Sequence, residues 1–195
     1  MKGLTKNLVL VLAIALVLAA CKQPTQQINE AQAVIDEIAK ASADKYAAAE
    51  FKTLGDDMKA AQDEIAVQDK KFFKKFGTAK EMLAKVKTDA EALKAALPGK
   101  IEAAKNAAIA IQTEAKTAID EAKALLEKAP KGKGTKKDIE ALQADLAGAE
   151  TAFAEIQTAL DAKDYLGAAD KAKSVKEKAV AVADQVKAAI EKKKK

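Results

Sequence analysis

The chain has no histidine and no tryptophan, and all 34 of its basic residues are lysines. It has one cysteine, Cys21, and only two serines, Ser42 and Ser174. Acid-base and nucleophilic catalysis rest mostly on histidine, activated thiols and activated hydroxyls, so most enzyme classes lack their usual side chains here. A di-iron carboxylate bundle needs Glu-x-x-His pairs, which this composition excludes. A single cysteine rules out an internal disulfide framework. Aromatics make up 4% of the chain, with 8 glycines and 3 prolines. A β-sandwich or barrel would need more aromatic and β-branched residues and more turn residues. What is present instead is alanine, about a quarter of the 195 residues, among lysines and acids. That mixture favours long helices, in one domain of ordinary size or two small ones.

The start of the chain reads as a secretory leader. Lys2 and Lys6 precede an apolar run of 13 residues, Leu8 to Ala20. A basic start and an apolar run of about 7–15 residues mark a signal peptide, and the run is shorter than the roughly 20 residues of a membrane-spanning helix. It ends in Leu18-Ala19-Ala20-Cys21. This resembles the lipobox of bacterial lipoproteins. The resemblance implies removal of residues 1–20 and acylation of Cys21, with the lipid bilayer as a partner. An ordinary signal peptide that leaves Cys21 as a spare thiol is the alternative. Loss of Lys2 and Lys6 takes the lysines from 34 to 32 against 29 acids, and the formal charge from +5 to +3. Residue 22 is lysine and not the aspartate that retains enterobacterial lipoproteins in the inner membrane. For a diderm source this implies the outer membrane, with the protein facing the periplasm.

After a polar tether at 21–27, apolar residues recur three and four apart to the end of the chain. The pattern predicts an all-α protein of up to six long antiparallel helices with coiled-coil-like packing. The expected seams are Ile28, Ala31, Ile35 and Ile38; Phe51, Leu54, Met58, Ala61 and Ile65; and Phe72, Phe76, Ala79, Leu83, Val86, Ala90, Leu93 and Leu97. They continue through Ile101 to Leu125, Ile139 to Leu160, and Tyr165 to Ala189. Breaks are expected at 42–46, 68–71, Pro98-Gly99, 130–135 and 162–164. The organisation is then a first helical unit at 28–97, a long helix at 100–129 joining or opening a second unit, and a hairpin at 136–195 completing it with a lysine tail.

The two halves also echo one another. Glu30-Ala31…Ile35-Asp36-Glu37 recurs as Glu114-Ala115…Ile119-Asp120-Glu121. The seam from Phe51 to Ile65 maps onto Leu146 to Leu160, and Lys70 to Lys80 onto Lys163 to Lys173. Two similar three-helix units are one reading; chance matching in a low-diversity sequence is the other. Around Ala162-Lys163-Asp164-Tyr165, with Ala168, Ala169 and Ala172 following, the chain resembles an alanine-rich, tetratricopeptide-like helical domain of exported bacterial proteins. Asp44-Lys45-Tyr46 resembles that family's other turn, with Ala48 where a proline often stands. The resemblance implies helical hairpins and carries no activity.

Three constellations remain. Asp69 to Lys80 holds three of the five phenylalanines among five lysines. It reads as the first turn of a helix with Phe72 and Phe76 buried, or as a patch for a membrane surface or an acidic partner; Phe73 lies off the seam register. Pro130 to Lys137 reads as a basic linker or a binding loop. Lys192, Lys193, Lys194 and Lys195 close the chain as a solvated helix end or a contact to the wall or a partner. The layout of Cys21, helices and terminal lysine resembles the murein lipoprotein family, which implies a link from Lys195 to peptidoglycan. It departs from that family in its several helices and in Lys193-Lys194-Lys195 at the end. Carboxylates alternate with lysines along helix faces, as on a solvated surface laced with ion pairs. The sequence thus predicts no enzyme, no cofactor, no metal and no nucleic-acid partner. It points to a lipid-anchored envelope scaffold or adaptor, with an outer-membrane-to-peptidoglycan tether as the alternative.

Overall fold

The structure, a computed structural model, describes residues 22–130, 132 and 135–194. The leader and Cys21 lie outside the described residues. So do Lys195 and the side chains of Lys193 and Lys194. The protein is all-α. Its helices are α1 (Thr25–Lys40), α2 (Ala43–Tyr46), α3 (Ala48–Asp69), α4 (Gly77–Glu127), α5 (Lys136–Asp161) and α6 (Tyr165–Lys194). The chain forms two compact units, one ending at Lys100 and the other beginning at Ile101.

The first unit contains α1, α2, α3 and the first part of α4. Lys87 pairs with Glu30 at 2.8 Å and Lys94 with Glu37, so α4 rises alongside α1 in the same direction. Lys85 pairs with Asp57 and Lys100 with Glu50, so α3 runs the opposite way. The result is an up-down-up arrangement of three long helices. Its interior is the expected seam: Ala31, Ile35 and Ile38 from α1, Leu54, Met58, Ala61 and Ile65 from α3, and Ala79, Leu83, Val86, Ala90, Leu93 and Leu97 from α4 are all buried. Alanines at 0% exposure let helices approach closely, while each buries little apolar area.

The second unit packs the last part of α4 against α5 and α6. Gln112 donates to Gln157 and Lys123 pairs with Glu150, which sets α5 antiparallel to α4. The core runs through Ala115, Ile119, Ala122, Leu142, Leu146, Ala149, Ile156, Ala172, Val175, Ala179, Val182 and Val186. Three sequence-equivalent positions agree between the units in burial or ion pairing. Ala31 and Ala115 are fully buried, Ile35 and Ile119 are buried, and Glu30 and Glu114 each pair with a lysine on the last helix of their own unit, Lys87 and Lys176.

Three expectations are corrected. No break occurs at Pro98-Gly99: α4 is one helix of 51 residues with Pro98 inside it. Proline removes one backbone bond, but strong helix formers on both sides and buried Leu93 and Leu97 hold the helix through it. The tether is shorter than 21–27, because Pro24 is fully buried and α1 starts at Thr25. The Pro24 carbonyl accepts from the Ile28 N–H at 3.0 Å, and a residue with fixed φ is well suited to opening a helix. Third, Phe72 is not buried. It is 93% exposed in a non-helical segment between α3 and α4, and α4 begins only at Gly77. Extending the helix back would stack Lys70 on Lys74 and Lys71 on Lys75 at i,i+4, a like-charge arrangement that opposes helix formation.

The turn from α5 to α6 shows how a hairpin is built without glycine at its bend. Lys163 adopts φ 60, and its N–H donates to the Leu160 carbonyl at 2.9 Å. The Asp164 N–H donates to the Ala159 carbonyl at 2.9 Å, completing a Schellman closure of α5. Asp164 then opens α6: its carbonyl accepts from the Ala168 N–H at 2.8 Å and its carboxylate lies over the Gly167 N–H. A Cβ on Gly167 would fall 2.1 Å from Asp164 Oδ2. Gly167→Ala is therefore expected to destabilise by about 1 kcal/mol through loss of the cap, although alanine is the better helix former. Urea denaturation measures it, and a gain in stability would show that the cap contributes nothing.

Candidate functional site

Sequence reasoning nominated Cys21, Phe73 and the terminal lysines. Of these, Phe73 and Lys192 have described side chains. Lys192 is exposed on the last turns of α6 and borders a groove with Thr135, Asp138 and Asp145. Ile190 is the last partly buried residue before it.

Phe73 stands in a more informative setting. The α3–α4 connection, residues 70–76, lies where α1 starts and α3 ends. Asp69, the last residue of α3, accepts from Gln23 Nε2 at 3.0 Å through one carboxylate oxygen. Its other oxygen accepts from Lys74 Nζ at 2.9 Å. One carboxylate thus ties Gln23, two residues before α1, to the connection. Phe76 turns inward and is 1% exposed. Phe72 and Phe73 turn outward, at 93% and 78% exposure, with their rings edge to face and centroids 5.0 Å apart. Lys70, Lys71, Lys74 and Lys75 flank them, all exposed. The sequence flagged Phe73 as off register; it gave Phe72 to the core because an i,i+4 pair with Phe76 fits a helix equally well. The Gln23–Asp69 bond was invisible in the sequence, since nothing local signals a polar contact 46 residues apart.

The charged residues elsewhere form a surface network. Glu30 is held below the ordinary glutamate range by hydrogen bonds from Lys87 and then Gln26. The Lys100 hydrogen bond does the same for Glu50, and the Lys171 hydrogen bond for Glu155. Lys85 is raised by hydrogen bonds to Asp89 and Asp57, Lys87 by its bond to Glu30, and Lys123 by its bond to Glu150. Glu150 Oε1 is shielded from solvent, and Lys123 is its ion partner. The Lys87–Glu30, Lys100–Glu50, Lys123–Glu150 and Lys171–Glu155 pairs each join two helices. Their linkage to folding has a definite sign. Carboxylates with depressed pKa values stabilise the fold above the unfolded glutamate pKa, and that contribution is lost as pH falls through the folded value. The melting temperature should hold steady near neutrality and drop as pH falls below about 4.5. A melting temperature that rises over that interval would contradict the pairing.

Among the described residues, no group of three His, Cys, Asp or Glu side chains is placed to hold a metal ion. No described helix is long and apolar enough to cross a membrane. No protein-family description, curated protein or solved structure matches this chain.

Proposed function

We propose that this chain is a non-catalytic, lipid-anchored protein of the bacterial cell envelope: a helical scaffold or adaptor that presents a lysine-and-acid surface to another envelope component. The observation that carries this reading is the run Leu18-Ala19-Ala20-Cys21, which holds the only thiol of the chain and ends three residues before Pro24, the first buried residue among those described. A lipobox followed almost at once by a folded body is the layout of a protein held close to its bilayer. With Lys22 after the cysteine, a diderm source places it in the outer membrane, facing the periplasm. The helix pairs that bury Ala31, Ala61, Ala90, Ala115, Ala149 and Ala179 are packed for rigidity, and their surfaces are laced with lysine–carboxylate pairs. Co-purification from detergent-solubilised envelopes tests the adaptor role; recovery of one envelope protein in stoichiometric amount supports it, and recovery of the chain alone opposes it.

A second reading is a tether to peptidoglycan through the C-terminal lysines. It is favoured by the exposure of Glu191 and Lys192 beyond the last partly buried residue, Ile190. Mass spectrometry of digested sacculi decides it: a muropeptide joined to Lys195 supports the tether. Deleting residues 192–195 is expected to cost about 1 kcal/mol at most, since lysines at a helix C-terminus act only through the helix dipole and are screened by salt. Such a truncation leaves folding intact and removes any wall linkage. Unfolding on truncation would contradict the observed exposure of Lys192.

A further inference from the structure

Large apolar side chains left in water call for an explanation that lysine and alanine do not. Phe72 and Phe73 are adjacent, exposed at 93% and 78%, in contact with each other, and surrounded by lysines. Their location gives the explanation. Asp69 binds Gln23 at 3.0 Å, so this segment and Gln23, just before the start of α1, share one end of the first unit. Gln23 is two residues from Cys21 in the chain, a reach of about 7 Å at most. An acylated Cys21 therefore brings the bilayer to the end of the unit where the two phenylalanines stand.

From this juxtaposition we infer that residues 70–75 are a second membrane contact. Phe72 and Phe73 enter the boundary between headgroups and acyl chains, and the flanking lysines bind anionic phospholipid headgroups. The inference rests on the lipid anchor proposed above. It goes beyond that reading, because acyl chains alone leave the body free to swivel, whereas a lipid and an inserted loop at one end fix its orientation. The chemistry suits an anionic bilayer. Aromatic rings sit well at the interface, and lysine stems reach over apolar surface while their ammonium groups stay among the phosphates. Asp69, the acid nearest the segment, is occupied by Gln23 and Lys74 and so does little to repel the headgroups.

The chain has no tryptophan, so Phe72→Trp introduces a unique fluorophore. The control is Ala49→Trp, near the start of α3 and about 30 Å away along that helix at 1.5 Å per residue. Both are made in the full chain, purified from membranes and reconstituted into phosphatidylglycerol-containing vesicles carrying brominated acyl chains. Strong quenching at position 72 and none at position 49 is the expected result. Each lysine near an anionic surface favours the inserted state about fivefold, so Lys70→Gln, Lys71→Gln and Lys75→Gln together should lower insertion about a hundredfold. Equal quenching at both positions, or none at position 72, overturns the inference. Concentration-dependent self-association that Phe72→Ser and Phe73→Ser abolish would overturn it too, by assigning the pair to a second copy of the chain. Mass spectrometry of the N-terminal peptide reads the anchor separately. Acylated Cys21 without quenching at position 72 leaves the anchor and removes the loop contact. Quenching without acylation leaves the loop contact and removes the anchor.

Discussion

Phe76→Ala is expected to destabilise the first unit by about 3–5 kcal/mol, the range for deleting a buried phenylalanine. Phe76 is the largest fully buried side chain among the described residues, at 1% exposure. It opens the seam that continues through Ala79 and Leu83, both at 0%. Deleting its ring leaves a cavity in an interior that is otherwise mostly alanine and branched aliphatic residues. A typical domain has about 5–15 kcal/mol in total, so one substitution removes a large share. Phe72→Ala, four residues earlier, is the matched control and should change stability by less than about 0.5 kcal/mol. Urea denaturation followed by circular dichroism separates them. If Phe72→Ala costs more than Phe76→Ala, the start of α4 lies one turn earlier and Phe72 belongs to the core.

That contrast shows where the sequence was readable. Ile35, Ile38, Leu54, Met58, Ala61 and Ile65 sit at three-four spacing inside uninterrupted helix-forming stretches, and every one is buried. Periodicity succeeds there because one helix has one apolar stripe and one place to put it. It fails at the ends of helices, where a residue satisfies the period whether or not the helix reaches it. Phe72 is such a residue; like-charge lysines and the Asp69 carboxylate decided its place. Pro24 is another, because a proline in a polar stretch gives no sign that the body will close over it. Pro98-Gly99 misled in the opposite sense, since breaker residues weaken a helix by a finite amount that a long alanine-rich run can exceed. The candidate surface was legible only in part. Phe73 stood out by its register, but the contact that sets its location, Gln23 to Asp69, depends on two chain segments meeting in space.

Cys21→Ser is expected to have the largest effect on where the protein resides and almost none on its fold. Acyl chains contribute about 0.8 kcal/mol per buried methylene, so two or three long chains hold a protein at a bilayer with no measurable release. Serine offers no thiol for acylation. Leader removal in a lipoprotein follows acylation, so the variant should retain residues 1–20 or leave the membrane. The described helical body should be indifferent to the change, because Cys21 lies before its first described buried residue, Pro24, and before the helix that starts at Thr25. Circular dichroism of the variant should match the parent, with well over half its residues helical, while fractionation moves it from an acylated membrane form to an uncleaved precursor or a soluble protein. Intact-protein mass distinguishes those two outcomes. If residues 70–75 contact the bilayer as inferred, a released variant should return weakly to anionic vesicles, and the lysine part of that binding should vanish at 1 M salt, where the screening length falls to about 3 Å. A Cys21→Ser protein that is cut before residue 21 and stays membrane-bound in high salt would refute the anchor, because attachment would then come from some other part of the chain.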